Sequence, residues 1–421
     1  MKFMYILGIC ISTYYFMRWI KKKQRLHLLI SDNKFTQIFQ LMSSKFFENI
    51  PKNYLLTGHI QTFLLEIGNC LIQLLKKFFR VYTFKYEREI HTLEDGAQIA
   101  IDHAIPINNF NLKECDGKSL GRISENLVTT KSKINSMSKN YQKILVIVPG
   151  ITSSSEEFYI KLFVEDFISE FDCKVINSRG IGGMKLFNEK MICSDLYHDL
   201  WNYLQKLCLE NKDKKVFAVG FSYGGHILTR CLSEYAKALP ANFFAGCGIC
   251  YPTSVEKTEL FLDKFYGIYN RSIVNSIKKI FFRNIENIFD PKTCKKNILD
   301  KKEELIKIMQ NVKTMREYSI NYLVKVQGYK NEEEYYKVSD LKYHVEKISV
   351  PFLSWFTEDD PIVPISIVPF DNYQNNSNTV TIVSEHGGHL GLISGTLVPK
   401  RIIKEPIMNF FKLVDILRVY K

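Results

Sequence analysis

Residues 216–224 read Val-Phe-Ala-Val-Gly-Phe-Ser-Tyr-Gly and run into a helix-like segment, 227–239. An apolar run, a glycine-bounded turn and a helix in immediate succession leave little choice of architecture. The turn must reverse the chain at the end of a sheet, and the serine at its apex is pushed out of the backbone's path. Gly220, Gly224 and Gly225 leave room where side chains would collide. A G-x-S-x-G turn of this kind is what a nucleophilic serine needs. It also suits an ordinary strand-to-helix connection, so the rest of the chain decides between the two.

The surrounding pattern favours a mainly parallel sheet. Short apolar runs at 144–148, 174–176, 216–219, 245–250, 352–356 and 379–383 alternate with helical patterns, as in α/β architectures whose sheet is covered on both faces. Two strand-like runs, 82–91 and 98–103, flank the turn signal Glu94-Asp95-Gly96. Residues 105–141 are rich in Asn, Ser and Lys and read as a mobile surface insertion. Residues 255–347 break the strand–helix rhythm with long helical stretches rich in Phe, Tyr and Lys, and read as a helical cap over the sheet. Residues 26–80 are expected to be a helical extension, ending in an amphipathic helix over 63–79 that Glu66, Asn69 and Gln73 make unsuited to crossing a bilayer.

The first 25 residues carry a separate signal. From Phe3 to Met17 only Ser12 and Thr13 interrupt the apolar run, and Arg18, Trp19 and Ile20 extend it to a length that just spans a bilayer. Lys21, Lys22, Lys23 and Arg25 follow at once. A cleaved signal peptide puts its charges first, so this order points to an uncleaved anchor with the bulk of the chain on the cytoplasmic side. The net charge of +13 is scattered in small clusters, without zinc-finger spacing or a long basic run, which argues against nucleic acid as a partner. The ten cysteines are irregularly spaced and fit reduced thiols; Cys247 and Cys250 form a C-x-x-C inside an apolar run and read as small core residues. Asn270 and Asn375 head glycosylation triplets of a kind that arise often by chance.

If Ser222 is a nucleophile, it needs a base, and the base needs an orienting acid. In this sheet type they follow in the order Ser, acid, His. The run 352–356 leads into Glu358-Asp359-Asp360-Pro361, where Asp360 opens a D-x-x-x-P turn and Asp359 is its rival. The run 379–383 leads into His386-Gly387-Gly388-His389-Leu390-Gly391, where His389 has glycine on both sides and His386 competes. Pro149-Gly150-Ile151-Thr152 ends the run 144–148, so the N–H groups of Ile151 and Tyr223 are the candidate oxyanion donors.

These segments together resemble the α/β-hydrolase subfamily of membrane-anchored phospholipid hydrolases, plant embryogenesis-associated hydrolases and bacterial YheT-like esterases. Besides the serine, acid and histidine turns, the resemblance is carried by Gly58-His59-Ile60-Gln61-Thr62, Leu93-Glu94-Asp95-Gly96 with Ile101-Asp102, Val148-Pro149-Gly150-Ile151-Thr152, Asn177-Ser178-Arg179-Gly180-Ile181-Gly182-Gly183, and Gly328-Tyr329 with Glu334-Tyr335-Tyr336. It runs from about residue 50 to the C-terminus and implies an α/β-hydrolase domain over 81–421. Two departures stand out: Tyr318-Ser319 where the group has an aromatic–Asp pair, and Tyr223 where it commonly has Leu or Met. The resemblance implies a membrane-associated carboxylic-ester hydrolase acting on lipid or smaller acyl esters, with catalytic Ser222, Asp360 and His389 and no metal or cofactor. An acyltransferase would need the same three residues, and a silent lipid-binding scaffold would need none of them.

Overall fold

The computed structural model describes residues 26–30, 39, 58–62, 83–107, 141–394 and 400–419; the expected anchor, the 63–79 segment and nearly all of the 105–141 insertion lie outside these residues. The described residues contain a sheet of nine strands: β1 (Leu26–Ile30), β2 (Phe84–Thr92), β3 (Gln98–Pro106), β4 (Lys143–Val148), β5 (Asp172–Asn177), β6 (Lys215–Phe221), β7 (Phe243–Ile249), β8 (Phe352–Thr357) and β9 (Thr379–Ser384). Their spatial order is β1-β9-β8-β7-β6-β4-β5-β3-β2. From β5 through β9 all neighbours are parallel, while β2, β3 and β1 are antiparallel to theirs.

The central strands read as continuous apolar runs because both faces are buried. Ile144, Val146 and Val148 of β4 enter one core with Val216 and Ala218 of β6. Leu145 and Ile147 enter the other with Phe217, Val219 and Phe221. The first core is closed by helices α2 (Tyr197–Glu210) and α3 (Tyr223–Glu234), the second by α1 (Phe158–Phe167) and the C-terminal helix α8 (Lys404–Val419). The block 255–347 holds α4 (Val255–Phe261), α5 (Ile268–Arg283), α6 (Lys302–Asn311), α7 (Glu332–Ser339) and several shorter helical turns, and no strand lies within it.

One sequence expectation is corrected. Residues 26–30, placed in a helical extension, form strand β1, in register with β9 from Leu26 opposite Ser384 to Ile30 opposite Val380. The segment Leu-His-Leu-Leu-Ile carries no strand alternation. Its extended form comes from pairing with β9, whose outer backbone groups it satisfies. The strand β3 likewise runs through Ile105 and Pro106, into what was expected to be insertion.

Candidate active site

The site grows from the end of β6. Ser222 sits between β6 and α3 with φ 50 and ψ −124, a conformation that costs a non-glycine residue about 1–3 kcal/mol. Hydrogen bonds hold it there: its N–H donates to the Ile249 carbonyl at 2.8 Å, and its own carbonyl accepts from Gly225 and His226. The flanking glycines are required by crowding. A Cβ at Gly220 would stand 2.4 Å from the Gly224 carbonyl oxygen, and one at Gly224 would stand 2.2 Å from that of Val148. The strained serine thus rests against the end of β4, where the next piece of the site begins.

Two later strand ends bring up the partners. His389 Nε2 lies 2.8 Å from Ser222 Oγ, and His389 Nδ1 lies 2.8 Å from Asp360 Oδ2. All three residues are nearly enclosed, with exposures of 8% for Ser222, 5% for Asp360 and 7% for His389. The other Asp360 oxygen accepts from the N–H groups of Ile362 and Val363, each at 2.8 Å. Those bonds fix the carboxylate in place. A hydroxyl, an imidazole and a carboxylate in this order can activate the oxygen and return its proton to a leaving group.

The rival residues have other work. Asp359 Oδ1 accepts from Gly387 and Gly388 N–H at 2.9 and 2.8 Å, and Oδ2 stands 3.3 Å from His386 Nδ1. Asp359 therefore shapes the histidine loop from outside while Asp360 meets the imidazole. His386 is not brought to Ser222.

Ile151 and Tyr223 both line the same narrow apolar cleft as Ser222. Among the described residues, the N–H groups of Ile151 and Tyr223 have no backbone acceptor outside regular elements, and that of Tyr223 lies at the N-terminus of α3, where helix amides point outward. The loop carrying Ile151 is braced at several points. Gly150 N–H donates to Tyr159 Oη at 2.9 Å. Ser155 donates its N–H to Asn177 and its hydroxyl to Asp102. Asn177 and Arg88 also donate to Asp102. Next to it Arg179 is clamped by Asp199 and Asp95, and those carboxylates raise its already high pKa despite the opposing pull of burial. So Asp102 and Asn177, from two separate sequence motifs, converge behind this loop. Tyr159 was missed because nothing in its local sequence signals a contact with Gly150.

A cavity of about 430 Å³ opens above Ser222 and His389. One face of α5 roofs it with Ile268, Tyr269, Ser272, Ile273 and Ser276, and Ile362 and Leu390 add apolar wall. Within the cap, Glu259 of α4 is buried and accepts hydrogen bonds from the hydroxyls of Ser319 at 2.5 Å and Tyr336 at 2.7 Å. Burial pushes its carboxyl up to about 7. Position 319 is where the sequence departs from the aromatic–Asp pair. A second carboxylate there would face Glu259, whereas serine supplies a proton.

Cys247 and Cys250 are buried free thiols, and burial pushes both upward. Asn270 is also buried, with its amide bound to Asp263 and Met315, which leaves no room for a glycan. No helix among the described residues is long and apolar enough to cross a membrane.

Comparison with known proteins finds relatives of this sequence. The sequence model of a family described as "alpha/beta hydrolase fold" matches residues 143–396. An abhydrolase domain-containing protein of Dictyostelium discoideum is 28% identical over 258 residues, which span 59% of this chain and 62% of that protein. Embryogenesis-associated protein EMB8 of Picea glauca is 22% identical over 333 residues, 76% of this chain and 65% of EMB8. The chain thus spans slightly under two thirds of these relatives' length. A monoacylglycerol lipase of Saccharomyces cerevisiae is 23% identical over 380 residues, 85% of this chain and 79% of the lipase.

Proposed function

The chain belongs to the alpha/beta hydrolase fold family, and from that premise we propose that it is a membrane-anchored serine hydrolase of carboxylic esters, with acyl esters of lipids as its substrates. The reading rests above all on one observation, the relay from Asp360 through His389 to Ser222 with both links at 2.8 Å. Ser222 Oγ attacks the ester carbonyl carbon, and His389 Nε2 takes the hydroxyl proton. The carbonyl oxygen becomes an anion, held by the N–H groups of Ile151 and Tyr223. Each such donor is worth on the order of 3 kcal/mol, because it meets charge present only in the tetrahedral state. The tetrahedral species collapses, the C–O bond to the alcohol breaks, and His389 protonates the leaving oxygen. Water, deprotonated by His389, then attacks the acyl-enzyme and frees Ser222 and the acid. Asp360 holds Nδ1–H throughout and stabilises the imidazolium.

A lipid substrate is supported by the apolar lining from Ile268, Ile273, Ile362 and Leu390, and by the yeast relative whose name is monoacylglycerol lipase. The apolar N-terminal run and its basic flank support an anchor that keeps the domain at a bilayer, on the cytoplasmic side. The test uses purified full-length chain in bilayer nanodiscs. It should release fatty acid from short-chain esters, monoacylglycerol or phospholipid, while Ser222→Ala releases none. A folded wild-type protein that cleaves none of these would refute the proposal. Acyl transfer in place of release, with a lipid alcohol present, would replace hydrolysis by the acyltransferase reading.

A further inference from the structure

The described helical turn 58–62 lies against the histidine loop, 327 residues away in sequence. Thr62 Oγ1 donates to the Gly58 carbonyl at 2.7 Å and accepts from the backbone N–H of His389 at 2.8 Å. The first bond uses the hydroxyl proton, so a lone pair is left to face His389. Thr62 is 5% exposed and Gln61 is fully buried. The contact is as close as backbones allow. A Cβ at Gly388 would stand 2.3 Å from the Gly58 carbonyl oxygen, and one at Gly58 would stand 1.8 Å from that of Asp359. A Cβ at Gly391 would come within 2.8 Å of the Gln61 Cβ. The turn also reaches the cap: His59 Nδ1 lies 2.9 Å from Tyr269 Oη, on the helix that roofs the cavity.

On the other side, Thr357 Oγ1 donates to the Gly388 carbonyl at 2.8 Å. The residue before His389 is therefore pinned through its carbonyl, and His389 itself through its N–H. Only the second pin comes from outside the sheet. A buried N–H needs an acceptor. Here a hydroxyl, oriented by its own bond to Gly58, supplies it.

We propose that Thr62 is a positioning residue: its hydroxyl fixes the His389 backbone, and through it the Nε2–Ser222 distance on which proton transfer depends. This inference rests on the hydrolase reading above. A misplacement of about 1 Å in a reacting group can cost roughly 100-fold in rate, so removal of this pin is expected to lower turnover about 10- to 100-fold.

The test compares Thr62→Val, Thr62→Ser and His389→Asn in the full-length chain. The rate of labelling by a fluorophosphonate and the kcat and KM for a short-chain ester are read per folded molecule. Thr62→Val is nearly isosteric but cannot accept the bond. It should lower labelling rate and kcat together by about 10- to 100-fold, with KM changed less than about threefold. Thr62→Ser should restore both to within about threefold of wild type. If Thr62→Val does not fold, Thr62→Ala removes the same acceptor without the branched methyl and carries the comparison. Wild-type kcat in Thr62→Val, or a Thr62→Ser as slow as Thr62→Val, would overturn the inference by leaving Thr62 a packing residue. A His389→Asn variant that still labels at the wild-type rate would instead overturn the hydrolase reading.

Discussion

Replacing Asp360 by asparagine tests the direction of the relay with almost no change in shape. The native carboxylate has two separate tasks. Oδ1 accepts from Ile362 and Val363 N–H, and Oδ2 meets His389 Nδ1. An asparagine must keep its carbonyl oxygen toward the two backbone donors, since turning it around would set an NH2 against two N–H groups. Its NH2 then faces His389 Nδ1 and donates to it. The imidazole is forced to carry its proton on Nε2, pointing at Ser222 Oγ, where it can no longer accept. An inverted tautomer of this kind costs about 10,000-fold in kcat in a serine triad, or about 5 kcal/mol of barrier. The neighbouring Asp359→Asn keeps an oxygen for Gly387 and Gly388 and loses only a half-exposed pairing with His386, worth about 0–1 kcal/mol. It should retain activity within about tenfold. Steady-state ester hydrolysis of the two variants, with circular dichroism to check folding, reads the difference. Near-normal turnover in Asp360→Asn, with loss in Asp359→Asn, would refute the assignment of the acid.

Two further outcomes follow from other parts of the structure. The left-handed backbone at Ser222 (φ 50) predicts that Ser222→Gly is inactive yet more stable than Ser222→Ala, by about 1 kcal/mol; denaturant midpoints should separate them, and equal midpoints would remove the strain. Glu259 predicts a pH dependence of stability. Burial, only partly offset by Ser319, Tyr336 and Arg316, raises its pKa from 4.5 to about 7, so the folded chain keeps a proton that the unfolded chain releases above about pH 4.5. Its contribution is whole below that pH, falls as pH rises toward 7, and is lost above it, by about 3 kcal/mol in all. Glu259→Gln should therefore melt close to wild type near pH 4.5 and above it at pH 8; a melting difference that does not change with pH would contradict this.

Much of the site was legible because its parts sit where strands end. Ser222, Asp360 and His389 each follow an apolar run in a turn with distinctive chemistry, and the order of those runs fixes which edge of the sheet they share. Between the two adjacent carboxylates the sequence favours Asp360 only by the D-x-x-x-P turn it opens, because the backbone angle of the turn decides which of them points inward. Strand β1 was illegible for a different reason. Five residues, Leu-His-Leu-Leu-Ile, have no periodicity to read, and their extended form depends on a partner some 350 residues away. Tyr159 and Thr62 look like ordinary helix-flank residues until the chain brings them to Gly150 and His389. Glu259 lies in Glu-Lys-Thr-Glu-Leu, which reads as a solvated helix face. The cap buries it because two hydroxyls from 319 and 336 meet it there. In each case the missing signal was a tertiary contact, which overrides what the local segment suggests.

The most direct measurement is to expose the full-length protein to a fluorophosphonate and locate the adduct by peptide mass spectrometry. The account predicts one phosphonylated residue, Ser222, with labelling abolished in Ser222→Ala and in His389→Asn. An adduct on another residue, or a folded Ser222→Ala protein that labels as fast as wild type, would contradict it.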